Sequence, residues 1–198
     1  MSKSKSQPNN VVNRGTGAGG ANTNKNGKPL EDRVNKIISE KYQVFGRVDC
    51  MAEKNKCQVE RIVSARGEIY IRAPQSALKA WSIHKKFFKD KDDWKNRTLH
   101  GTRAPDDCII KPGKSINIFE CKRQGGTGSV CEKLQTYQPK IENYKERYPG
   151  YTINYIYVLD SYFRDECPAE IRNMEQDNIN IVWNDDENFK ETLLNKII

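Results

Sequence analysis

The spacing of hydrophobic positions changes several times along the chain, and each change marks an element. Leu30, Val34, Ile37 and Ile38 recur at helical steps, with Glu31 in what reads as the first turn and Pro29 just ahead of it. Val44 to Arg72 is less regular. Within it, Gln58 to Val63 and Glu68 to Ile71 predict two strands joined at Ala65-Arg66-Gly67. Pro74 stops the extension. Ala77 to Lys89 predicts a helix whose Leu78, Trp81, Ile83, Phe87 and Phe88 form a broad apolar face, aromatics that belong to a core. Asp90 to Thr98 is charged and reads as a surface loop. Cys108-Ile109-Ile110 and Ile116 to Phe119 flank Lys111-Pro112-Gly113-Lys114, a hairpin signal.

Further on, Val130, Leu134, Tyr137, Ile141 and Tyr144 keep a helical period that Pro139 interrupts. The pattern predicts one helix over Val130 to Tyr137 and a second over Pro139 to Tyr148. Thr152 to Leu159 is an almost unbroken apolar and aromatic run, the mark of a strand covered on both faces. A helix over Pro168 to Met174, a strand over Ile179 to Trp183 and a helix over Glu187 to Asn195 complete the series. This alternation predicts a three-layer α/β domain with a mixed sheet over residues 30–198.

The hairpin carries the chemistry. Its turn brings Asp106, at the start of one strand, near Glu120 at the end of the next. Glu120 and Lys122 lie two apart on one face, and Cys121 points the other way. Two carboxylates and an ammonium at one sheet edge are what metal-assisted phosphodiester hydrolysis requires. The bland alternative is a solvated acid–lysine pair at a strand end.

Pro105-Asp106 followed by Glu120-Cys121-Lys122 resembles the PD-(D/E)XK nuclease superfamily, and within it the type II restriction endonucleases. The resemblance spans roughly Leu30 to Trp183. It implies an α/β/α restriction-endonuclease-like core with Asp106 and Glu120 as metal ligands, the Cys121 carbonyl as a further ligand and Lys122 as the catalytic lysine. It also implies that Glu31, on the preceding helix, completes the catalytic set. Because two aspartates follow Pro105, either Asp106 or Asp107 fills the first position. The segment after the catalytic strand, which holds Gln124, Ser129 and Lys133 in a Gly-Ser-x-x-Glu-Lys context, resembles one that lies near DNA in several restriction enzymes. The implied activity is Mg²⁺-dependent, site-specific cleavage of double-stranded DNA by a homodimer, with a cognate DNA methyltransferase as functional counterpart. A junction resolvase or repair nuclease, or a non-catalytic nucleic-acid-binding protein, are the alternatives.

Charge agrees with a polyanionic partner. Thirty-four Lys and Arg against 26 Asp and Glu leave a net charge of +8. Residues 1–29 contain no acid and no aromatic, but several glycines and asparagines and five of the positive charges. They read as a flexible arm, either a disordered solubilising tail or a segment that orders on DNA with Arg14 and Lys25 at phosphates and Asn22 or Asn24 near base edges. No apolar run approaches the roughly 20 residues of a membrane span, and no signal-peptide pattern opens the chain. A cytoplasmic protein without a membrane partner is expected. The six cysteines form no Cys-x-x-Cys pair and only two histidines accompany them, which argues against zinc. In a reducing compartment, disulfides are not expected.

Overall fold

A computed structural model describes residues 20–52, 55–124 and 130–198. The described chain forms a mixed α/β fold around a seven-stranded sheet whose spatial order follows the sequence. The strands are β1 (Tyr42–Ala52), β2 (Asn55–Ser64), β3 (Ile69–Arg72), β4 (Asp107–Lys111), β5 (Ser115–Lys122), β6 (Thr152–Leu159) and β7 (Asn180–Trp183). The first five run antiparallel to their neighbours, whereas β5, β6 and β7 are parallel. The two parallel connections pass through helices, as such crossovers require.

Helices cover both faces. On one lie α1 (Gly20–Lys41) and α8 (Phe189–Asn195), whose Leu30, Val34, Ile38, Phe189 and Leu193 close over Ile109, Phe119, Ile156 and Val182. The other carries α2 (Ser76–His84), α4 (Val130–Leu134), α5 (Tyr137–Arg147), α6 (Ser161–Glu166) and α7 (Pro168–Gln176). There Leu78, Trp81, Leu134, Tyr144, Phe163 and Met174 pack with Cys108, Ile110, Ile118 and Tyr157. Alternate residues of β4 and β5 thus enter opposite cores, which explains the continuous burial of both strands. No helix of the described residues is long and apolar enough to cross a membrane.

Several expected boundaries move. The first helix begins at Gly20, not Leu30, and carries Pro29 inside it. A helix anchored by buried turns gains one hydrogen bond for each residue added, even through poor formers such as Gly and Asn. Glu31 consequently sits within α1 rather than in its first turn. The strand β1 has no counterpart in the sequence reading. Its alternation is broken by a bulge between Val44 and Gly46, which shifts the register against β2. The helix expected to reach Lys89 ends at His84, because Lys86 adopts φ 62° and turns the chain. The expected loop after it contains α3 (Lys91–Arg97), capped by Asp90, whose side chain accepts from the backbone N–H groups of Asp92 and Asp93. α6, between β6 and α7, was likewise not anticipated. Cys131 and Cys167, expected as free thiols, form a disulfide with Cα atoms 5.5 Å apart. The packing of α4 on α7 brings together two cysteines separated by 36 positions.

Arg147 shows how a charge is accommodated in the core. It is 1 % exposed, donates to the carbonyls of Asn143 and Thr102, and lies 4.1 Å from the Tyr144 ring centroid. Planar stacking and a fork of donors are properties of guanidinium that lysine lacks. Arg147→Lys should therefore lower stability by about 2–4 kcal/mol through lost stacking and lost donors to the Asn143 and Thr102 carbonyls. A denaturation midpoint equal to that of the unaltered protein would contradict this.

Candidate active site

The hairpin β4–β5 places the motif as the sequence predicts. Gly113, at φ 71°, permits the turn, and the Lys114 N–H closes it on the Lys111 carbonyl. Asp107 pairs with Phe119, so the register carried one step further sets Asp106 opposite Glu120. One Asp106 carboxylate oxygen, Oδ2, accepts the Cys121 N–H at 2.6 Å, which pins the loop carrying Asp106 to β5.

Glu120 and Lys122 share a face, with Lys122 Nζ 2.6 Å from Glu120 Oε1. Lys122 Nζ also donates to the Cys121 carbonyl at 3.3 Å. A residue absent from the sequence reading joins them. Lys140, from α5, reaches Glu120 Oε1 at 3.2 Å, with its side chain only 11 % exposed. Its stem passes close to Gly101, where an added methyl would stand 3.3 Å from Lys140 Cε. Tyr155 on β6 donates to Glu120 Oε2 at 3.2 Å. Nothing in the sequence signals Lys140, since its partner lies on another element 20 positions away.

The two aspartates after Pro105 part company. Asp107 is buried on the α1 side, where its Oδ2 accepts from Arg72 Nε at 2.9 Å and Nη2 at 2.7 Å. The Cys108 N–H donates to its other oxygen. Arg72 is in turn held by Asn35 and Ser39 of α1. Asp107 is thus the anchor of an internal network, and Asp106 is the aspartate beside Glu120 and Lys122.

Electrostatics follow from this crowding. Burial pushes the Asp106 carboxyl up to about 6, helped by Glu120 and Glu31 and opposed by Lys122 and the Cys121 N–H. Burial also works on Glu120, but the ammonium groups of Lys122 and Lys140 outweigh it and hold the carboxyl below its usual range. For Lys122, burial is outweighed by Glu120 and Asp106, and the ammonium is held above its ordinary value. Glu120 and Lys122 are therefore ionised at neutral pH. Glu31 lines a cleft of about 490 Å³ together with Asp106, Asn35, Arg72 and Gln75. Its charge is felt at both Asp106 and Cys121. It lies one helical turn before Asn35, so the stripe Glu31, Asn35 and Ser39 faces the start of β4.

The other expected contacts are more dispersed. Gln124 follows β5 and its N–H donates to Asp160. Lys133 is exposed on α4. Arg14 and Ser129 lie outside the described residues, as do the side chains of Asn22, Asn24 and Lys25 on the helical backbone of α1.

Among the described residues, no group of three or more His, Cys, Asp or Glu side chains is close enough to hold a metal ion. The donor set at the hairpin is of another kind: two carboxylates and a main-chain carbonyl, all oxygen. Mg²⁺ binds through one or two carboxylates and retains several waters, so this set suits it and suits zinc poorly. The chain matches no protein-family model, no curated protein and no solved structure.

Proposed function

We propose that this chain is a Mg²⁺-dependent phosphodiesterase of the PD-(D/E)XK kind, built on a three-layer restriction-endonuclease-like core. Within that class, the reading that best joins site, charge and motif is a type II restriction endonuclease that cuts double-stranded DNA at a specific sequence. One observation carries it: Asp106, Glu120 and Lys122 converge at one edge of a central hairpin, in a buried, charge-coupled cluster.

Asp106, Glu120 and the Cys121 carbonyl would hold the Mg²⁺, which supplies Lewis acidity toward the phosphate and the leaving oxygen when bound. Lys122 orients the attacking water by hydrogen bonding and offsets negative charge that grows on the phosphate. The water oxygen forms a bond to phosphorus as it gives up a proton to solvent, and the bond to the 3′ oxygen breaks. That oxygen takes up a proton and leaves as the 3′ hydroxyl, and the 5′ phosphate remains on the other strand end. Lys140, which pairs with Glu120, would add a second positive charge near the scissile group. Tyr155 keeps Glu120 aligned through its second oxygen.

Digestion of a sequenced plasmid with Mg²⁺, followed by end mapping, tests this reading. Discrete cut sites with 5′ phosphates are expected, and Ca²⁺ should support binding without cutting. Cleavage that persists in EDTA would refute the metal requirement. Cutting confined to four-way junctions, with intact plasmid left whole, would reassign the chain to a structure-specific nuclease.

A further inference from the structure

A second cleft, of about 230 Å³, opens beside the candidate active site and is lined by Lys79, Lys91, Lys95, Arg103, Trp94 and Ser76. Four cations converge there and no carboxylate lines it. Among the described residues, none of the four has a carboxylate within ion-pair distance. Around α3, Asp90 caps the helix, Asp93 accepts from the Lys89 N–H and pairs with Arg97, and Asp92 is exposed and outside the cleft lining. Arg103 donates one guanidinium nitrogen to the Lys95 carbonyl, while its Nε is buried without a partner. Uncompensated like charges gathered in one cleft repel one another, and a buried N–H without an acceptor costs free energy. An anion with several acceptor oxygens entering the cleft relieves the repulsion among these cations.

The location identifies which anion. Arg103 is three residues before Asp106, so their Cα atoms lie within about 11 Å of each other. The Gln75 N–H donates to the Pro105 carbonyl at 2.9 Å, tying the start of α2, which contributes Ser76 and Lys79 to this cleft, to the chain that carries Asp106. A phosphate held here would therefore lie within about three nucleotides along a strand from one at Asp106, given the rise of roughly 3.4 Å per nucleotide.

We infer that Lys79, Lys91, Lys95 and Arg103 form a clamp for the backbone phosphates of duplex DNA next to the scissile position. Recognition by these groups is independent of sequence. They fix the register of the strand over Asp106 and Glu120 and do not read bases. The naming of the neighbouring phosphate rests on the nuclease reading, whereas the anion site itself does not.

The test measures binding of a labelled DNA duplex by fluorescence polarisation across a KCl series, in Ca²⁺, for the full chain. Lys91 and Lys95 are exposed on α3 and can be replaced without disturbing the core. The double variant K91A/K95A should weaken binding at least tenfold at moderate salt and lower the slope of log K against log[salt] by about 1.8, or about 0.9 for each lost contact. R103Q should lower it by about one contact. K114A, in the β4–β5 turn at the far end of β5 from Lys122, removes a charge elsewhere and should leave the slope within error. Equal slopes for K91A/K95A and K114A would overturn the clamp, as would an unaltered protein that binds no duplex. Equal or tighter binding of an RNA duplex of the same sequence would overturn its assignment to DNA. A parallel Mg²⁺ digest separates the two readings. A protein that never cuts but loses affinity in K91A/K95A defeats the nuclease and keeps the clamp. One that cuts, with unchanged slopes, defeats the clamp alone.

Discussion

Glu120→Gln and Lys122→Ala should each reduce Mg²⁺-dependent cleavage by about a thousandfold or more, with thermal stability altered far less than activity. Loss of a single group that acts on developing charge in such sites costs about 10²–10³ in rate. Both residues here also position their neighbours, which adds to the loss. Glu120 is the meeting point of Lys122, Lys140 and Tyr155. Removing its charge therefore releases two ammonium groups as well as a proposed Mg²⁺ ligand. Lys140→Met provides the internal contrast. It removes one of the two ammonium groups and leaves Lys122 on Glu120, so cleavage should fall by about ten- to a hundredfold, less than for either variant above. Single-turnover cleavage of a mapped site in Mg²⁺ provides the comparison. Full activity in Lys122→Ala would place the chemistry elsewhere in the molecule.

The hairpin was legible because its signals are local. Lys111-Pro112-Gly113-Lys114 dictates a tight turn, and the apolar residues on each side set a register that brings Asp106 to Glu120. The strand Thr152–Leu159 was legible for a similar reason, since a strand between two cores has no polar face to confuse the period. Failures occurred where the signal was mixed or distant. In β1, the bulge near Phe45 breaks the alternation by which a strand is recognised. α3 buries only Trp94, so its seven residues carry no apolar stripe, although Asp90 and the acids after it spelled a helix start. Lys140 and the Cys131–Cys167 bond depend on contacts between elements, which no local pattern encodes. Asp106 and Asp107 are equivalent in sequence. The position of Arg72 on β3, held by Asn35 and Ser39, distinguishes them.

That difference predicts opposite effects of two neighbouring substitutions on the stability of the metal-free protein. Asp106 has a folded-state pKa raised to about 6, chiefly by burial. The folded state therefore holds its proton more tightly than the unfolded chain, whose aspartate titrates near 3.9. The resulting stabilisation is fully present below about pH 3.9 and is lost as the pH rises through about 6, so the ionised carboxylate opposes folding at neutral pH. Asparagine is neutral throughout and can still accept the Cys121 N–H through its amide oxygen. Asp106→Asn should accordingly raise stability at pH 7 by on the order of 1–3 kcal/mol, with the gain vanishing near pH 4, while cleavage is lost. Asp107→Ala acts the other way. It leaves the Arg72 guanidinium, 11 % exposed, with only the more distant Glu60 as counter-ion at 3.9 Å. It also removes the acceptor for the Cys108 N–H. Breaking one side of a buried pair costs about 3–5 kcal/mol, enough to unfold much of a marginally stable domain. Urea denaturation in EDTA at pH 4 and pH 7 measures both. If Asp106→Asn destabilises as much as Asp107→Ala, the two aspartates share one structural role, and the proposed assignment of Asp106 to the Glu120–Lys122 site is wrong.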